Sequence, residues 1–142
     1  MLIQYYLSHT YLVIPHHTQP TYLRQTSMIP RGLSREMNLC YKCLRRIMSH
    51  KWAGPFLQPV DPVKLNIPDY NEVVKEPMDL GTIQRRIETQ QVKTKEEFAM
   101  LMRLVFSNAC LYNKADSDVY VVTGIAMTII IIINLMIHYY MH

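Results

Sequence analysis

Cysteine, glycine and runs of like charge are all scarce in this chain, and each scarcity closes off a class of function. Three cysteines among 142 residues are an odd number, which argues against a disulfide framework and fits a reducing compartment. Cys40 and Cys43 form C-x-x-C, but only Cys110 remains to join them, too few for the tetrahedral ligand set of structural zinc. No metal site is expected, and the cysteines read as buried helix residues. The four glycines are scattered and form no phosphate-cradling loop, and no Ser-His-Asp or Cys-His grouping of nucleophile and base is present. The acids Asp61, Asp69, Glu72 and Asp79 fit solvation and capping better than catalysis. Neither enzymatic activity nor a cofactor is expected.

Charge is missing from both ends. The 15 Lys and Arg and the 11 Asp and Glu residues all lie between Arg31 and Asp118, Arg24 excepted. The net charge of +4 arises from dispersed residues with no basic run, so direct sequence-specific nucleic-acid binding is not expected. The length suits one domain with an ordinary core.

Three stretches follow. Residues 1–30 carry Pro15, Pro20 and Pro30, which break any long helix, and a poorly ordered leader is expected. Its apolar start has no basic residue before it and no small-residue cleavage site after it, unlike a secretory signal. Residues 31–119 make the soluble module. Ser34 can cap a first helix with Glu36 in its first turn; its stripe is Leu39, Cys43, Leu44, Ile47 and Met48, ending near His50–Lys51. Between Trp52 and Pro77 lies a long proline-rich stretch that is also rich in apolar side chains, which reads as an ordered loop packed on helices. Asp79 can cap a second helix with the stripe Leu80, Ile83 and Ile87. Thr94 and Glu97 form a capping-box signature for a third helix, with Phe98, Met102, Val105, Ala109 and Tyr112 in line and Leu101 and Phe106 widening the stripe. Residues 120–142 are apolar and uncharged. They read as a fourth bundle helix, as a membrane span, since Val119–Ile137 reaches the minimum length of roughly 17 to 20 residues, or as sequence foreign to the domain.

The third helix ends on Ser107–Asn113, SNACLYN, followed by loop-formers. An asparagine offers a carbonyl acceptor and two N–H donors in a fixed plane, suited to recognising a neutral polar group. The plainer readings are Asn113 as a helix C-cap and Tyr70 and Tyr112 as core residues.

Four motifs in order, PF-x-x-PVD at Pro55–Asp61, VKLNIPDY at Val63–Tyr70, KEPMDLGTI at Lys75–Ile83 and NACLYNK at Asn108–Lys114, resemble the bromodomain family over residues of roughly 33 to 119. The resemblance implies an all-α fold, a left-handed four-helix bundle with a long ordered loop between its first two helices. It implies a non-enzymatic module that binds acetylated lysine on histone or other chromatin protein tails, acts in chromatin and transcription regulation in the nucleus, and belongs to a larger chromatin assembly. By the same resemblance, Asn113 would donate its side-chain N–H to the acetyl carbonyl and Tyr70 would hold a bridging water. Pro55 and Phe56 would form a shelf, Val60, Leu65 and Ile67 one wall, and Val119 the opposite entrance. Tyr112 would pack beside Asn113 and help fix its rotamer.

Three departures from the family pattern stand out. Gly54 precedes Pro55 where the family often has Trp, with Trp52 two positions earlier. Ala109 stands where many members have cysteine, and the apolar segment after Val119 is unlike the family's amphipathic last helix. That segment keeps two alternatives open, a membrane-anchored protein with a bromodomain-like head and a truncated fragment without function. A charged ammonium entering an apolar pocket with no carboxylate to pair it would lose several kcal/mol of solvation, so a neutral acetylated side chain is the expected ligand.

Overall fold

The computed structural model describes residues 29–118, 120, 121, 123 and 124. The expected leader, all but its last two residues, lies outside the described residues, as do Val119 and most of the apolar C-terminal segment. Among the described residues there are four α-helices and no strand: α1 (Arg35–Met48), α2 (Tyr70–Val73), α3 (Leu80–Glu88) and α4 (Lys95–Tyr112), with a 3-10 turn at Gly54–Phe56. No helix among them is long and apolar enough to cross a membrane.

Each long helix begins on a side chain that satisfies an otherwise orphaned N–H group. Ser34 Oγ accepts from the Met37 N–H at 3.1 Å, and Asp79 Oδ1 accepts from the Thr82 N–H at 2.8 Å. At α4 the full capping box forms: Thr94 Oγ1 accepts from the Glu97 N–H at 3.2 Å and Glu97 Oε2 accepts from the Thr94 N–H at 3.2 Å. These are the starts expected from the sequence. In α1, Glu36 in the first turn and Arg45 and Arg46 in the last complement the helix dipole.

The core lies between α1, α3 and α4. Leu44, Leu80, Ile83, Ile87, Met102 and Phe106 are fully buried, each worth about 1.5–3 kcal/mol over an exposed position. The α3 stripe is as expected. The α1 stripe is rotated: Met37, Cys40, Tyr41, Leu44, Ile47 and Met48 are buried, whereas Leu39 and Cys43 are only half-buried. The buried stripe begins two residues earlier, at Met37, because the helix faces α3 and α4 together. It also ends at Met48, two to three residues before the expected His50–Lys51, where the Ser49 N–H donates to the Arg45 carbonyl and the His50 N–H to the Ile47 carbonyl, both at 3.1 Å. Of the cysteines, Cys40 alone is buried, and Cys43 and Cys110 are half-buried. Polar links across the helices are few. Tyr41 Oη donates to Glu88 Oε1 at 2.7 Å, and Lys95 pairs with Glu36 at 3.1 Å.

The connection from Ser49 to Asp79 is ordered, with internal structure that periodicity does not show. Asp61 Oδ1 accepts from the N–H groups of Val63 and Lys64, both at 3.1 Å, and Asn66 takes a left-handed φ of 54°, which asparagine tolerates well. This winds residues 61–67 into a tight turn, with the Ile67 N–H donating to the Pro62 carbonyl at 2.9 Å. Ile67, Tyr70 and Val74 then form a second, smaller apolar cluster, with Val60, Leu65 and Tyr112 packed against it.

Three staples hold this loop to the helices. The Gly81 N–H donates to the Leu57 carbonyl at 3.1 Å. Asn108 Nδ2 donates to the Glu76 carbonyl at 2.7 Å, and Tyr112 Oη donates to Asp69 Oδ1 at 2.8 Å. After α4, Asn113 is extended, with φ −93° and ψ 146°. Ser117 folds back to the Lys114 carbonyl, and helical backbone resumes at residue 118 with Thr123 fully buried.

Candidate functional site

Between the long loop and the C-terminal half of α4 lies a cavity lined by Pro55, Phe56, Gln58, Val60, Leu65, Tyr70, Met78, Asp79, Val105, Ala109 and Asn113. Most of the lining is apolar, with a few convergent polar groups.

Asn113 sits at the end of α4 because the next residues cannot continue the helix. Its side-chain amide donates one N–H back to the Ala109 carbonyl at 2.8 Å, and its backbone N–H donates to the same oxygen at 3.0 Å. Asn113 is thus the C-cap of α4 and at the same time lines the cavity. One amide hydrogen anchors the plane of the side chain, and a primary amide has a second to give. Tyr70 is buried at 5 % exposure and lines the same cavity. Among the described residues nothing accepts from its hydroxyl. Burial, and then the nearby Asp79 carboxylate, raise the Tyr70 phenol above its ordinary value, so it stays a neutral donor and acceptor. Phe56 forms the floor, its ring tilted on Phe106 with centroids 5.2 Å apart, and Pro55 fixes the 3-10 turn that presents it.

Of the nine residues expected at the site, six line the cavity: Asn113, Tyr70, Pro55, Phe56, Val60 and Leu65. Ile67 and Tyr112 do not. Ile67 lies in the small apolar cluster behind the wall, where the turn at Asn66 points it inward. Tyr112 stands edge-on to Tyr70, centroids 5.0 Å apart, with its hydroxyl on Asp69. Burial and that hydrogen bond push the Tyr112 phenol up to about 12. It braces the site from outside. Val119 lies outside the described residues. Trp52 does not substitute for the shelf either; it lies against His50, centroids 4.7 Å apart.

The expectation of a pocket without a carboxylate is corrected. Asp79, 4 % exposed, is part of the wall. Both its oxygens are engaged, Oδ1 by the Thr82 N–H at 2.8 Å and Oδ2 by the Thr82 hydroxyl at 2.6 Å, so its charge is committed to the start of α3. Val105 and Ala109 were assigned to the core, where Val105 is buried and Ala109 packs against it, and both also line the cavity. They stand at four-residue steps before Asn113, a spacing that places all three on one face of a helix, and that signal was available. Gln58 and Met78 come from irregular backbone, where no spacing could have marked them.

The bromodomain family model matches residues 40–124, and the chain belongs to the bromodomain family. That family is a binding module and not a class of enzymes. The match runs past Val119 into the apolar segment. Among curated proteins, Bromodomain-containing factor 1 of Candida albicans is 38% identical over 109 residues, 75% of this chain and 14% of that protein. Transcription factor GTE1 of Arabidopsis thaliana is 48% identical over 77 residues, 54% of this chain and 20% of that protein. The SWR1 complex bromodomain subunit bdf1 of Schizosaccharomyces pombe is 43% identical over 84 residues, 59% of this chain and 14% of that protein. The chain thus spans a fifth or less of the length of these relatives. The solved second bromodomain of Candida albicans Bdf1, bound to an imidazopyridine, superposes with a TM-score of 0.65 at 39% identity, covering 69% of this chain and 95% of that one. Its unbound form gives 0.65 at 37% identity, covering 72% and 98%.

Proposed function

We propose that this chain is an acetyl-lysine reader that recognises acetylated tails of histones or other chromatin proteins. The observation that carries the reading is the position of Asn113, a neutral amide with an unspent N–H on the wall of a mostly apolar cavity. Tyr70, a neutral hydroxyl on the same cavity, is suited to hold a bridging water. An acetylated lysine presents one carbonyl acceptor and a methyl group, and it needs no charged partner. Its ammonium precursor would give up several kcal/mol of hydration in front of an Asp79 carboxylate already engaged by Thr82.

The names of the relatives, transcription factors and a subunit of the SWR1 complex, support action in the nucleus, in chromatin and transcription regulation, within a larger assembly. About five gripped heavy atoms, at no better than about −1.5 kcal/mol each, limit a single acetyl-lysine contact to roughly 10 μM unless the rest of the peptide contributes.

The test is Asn113→Ala against labelled acetylated and unmodified lysine peptides. An unpaired acetyl carbonyl costs about 1–3 kcal/mol, so acetyl-peptide binding weakens by roughly five- to 150-fold. The fold survives, since the backbone N–H of residue 113 still donates to the Ala109 carbonyl. Equal binding of the two peptides by the unaltered protein would sink the proposal.

A further inference from the structure

A second concavity lies on the other side of the Glu76–Met78 segment, between α3 and α4. Helix α4 is apolar on two faces. Besides its core stripe, Met100 and Leu111 are 60% and 61% exposed, and Leu104 is half-buried. Met100, Arg103, Leu104 and Ser107 follow helical spacing along one edge of an open groove, whose other side is Glu76, Pro77, Met78 and Arg86. A helix with apolar residues nearly all round is ordinarily covered on both faces, and methionine on an exposed floor adapts to varied side chains.

Charge identifies what covers it. Two guanidinium groups, Arg86 and Arg103, flank the apolar floor, against the single carboxylate of Glu76. The ion pair among the described residues joins Lys95 to Glu36, so neither arginine is neutralised there. Arginine beside methionine and leucine is the composition of a protein-binding patch, and its fork pairs carboxylates in two-point geometry. A nucleic acid would need a continuous basic track, and here two cations flank an apolar strip with an acid on its rim.

We propose that the groove between α3 and α4 docks an acidic peptide segment of a protein partner, one apolar side chain seated on Met100, Leu101 and Leu104 and its carboxylates paired with Arg86 and Arg103. The site is separate from the acetyl-lysine cavity, although Met78 lines both.

The full chain is titrated with the peptide EDELFEDE, followed by methyl NMR and fluorescence polarisation. The methyl signals of Met100, Leu101 and Leu104 shift. The peptides EDESSEDE, lacking the apolar anchor, and QNQLFQNQ, lacking the acids, each bind at least about tenfold more weakly. Arg86→Glu with Arg103→Glu weakens EDELFEDE binding by a similar factor, and the exposed-site variants Arg103→Glu and Met100→Gln do so singly with unchanged unfolding midpoints. Asn113→Ala binds EDELFEDE as the unaltered protein does, which separates this groove from the acetyl-lysine reading. Control peptides that bind equally, methyl shifts confined to other surfaces, or loss of binding in Asn113→Ala would overturn the proposal. So would a DNA duplex that displaces the peptide, or self-association of the chain that Met100→Glu abolishes.

Discussion

Replacing Gly81 with alanine sets two physical expectations against each other. Gly81 is in the first turn of α3, and alanine is favoured over glycine in a helix by about 1 kcal/mol, so local propensity predicts stabilisation. The tertiary structure predicts the reverse. A Cβ at this position would overlap the Leu57 carbonyl oxygen and lie 3.2 Å from Asp79 Oδ1. The Leu57 oxygen is backbone, cannot rotate away, and already accepts the Gly81 N–H at 3.1 Å. Relief requires moving the loop, which forfeits that hydrogen bond, worth about 0.5–1.5 kcal/mol, and adds an overpacking cost of about 1–3 kcal/mol. Net of the helical gain, Gly81→Ala destabilises by about 1–3 kcal/mol. In thermal unfolding each kcal/mol lowers the midpoint by about 4–8 °C for a domain of this size. Gly54→Ala is the control. Nothing lies within 4 Å of a Cβ there, so its effect stays near that of an ordinary Gly→Ala change, roughly 0.4–1 kcal/mol of stabilisation. Leu57 belongs to the same loop as Pro55, Phe56 and Gln58, so Gly81→Ala also weakens acetyl-peptide binding and Gly54→Ala does so less. A Gly81→Ala protein as stable as the unaltered one in urea and heat would refute the reasoning.

Asn108→Ala leaves the Glu76 carbonyl without its 2.7 Å donor and costs about 1–3 kcal/mol; urea unfolding checks it, and an unchanged midpoint contradicts the staple. Burial and the Glu88 hydrogen bond push the Tyr41 phenol up to about 12. The folded state therefore favours the neutral phenol, and this stabilisation is complete below the ordinary tyrosine value and lost as pH rises through about 12. Tyr41→Phe flattens the decline in urea midpoint over that alkaline window, and a decline of unchanged slope counts against the linkage.

The starts of the three long helices were legible in the sequence because caps are local. Ser34, Asp79 and Thr94 each bond to a backbone N–H within three residues, and such short-range chemistry follows from residue order alone. The α3 stripe was legible for the same reason, since three aliphatic residues at helical spacing need only one neighbour to cover them. Asn113 and Tyr70 were legible through the bromodomain resemblance, and both line the one cavity. What residue order could not settle is which side of the wall a residue faces. Ile67 and Leu65 are two positions apart in one motif, yet the left-handed turn at Asn66 turns one into the small apolar cluster and leaves the other on the cavity. Val105 belongs to the core and Ala109 packs against it, and the distance at which the loop stands from that part of α4 lets both line the cavity as well. Only tertiary structure set that distance, through the contacts of Leu57 with Gly81, Glu76 with Asn108 and Asp69 with Tyr112. Each joins residues 24 or more positions apart, beyond the reach of any local pattern. Asp79 combines both kinds of determination: the sequence by itself determined that it caps α3, and only the packing of the loop made its carboxylate part of the pocket.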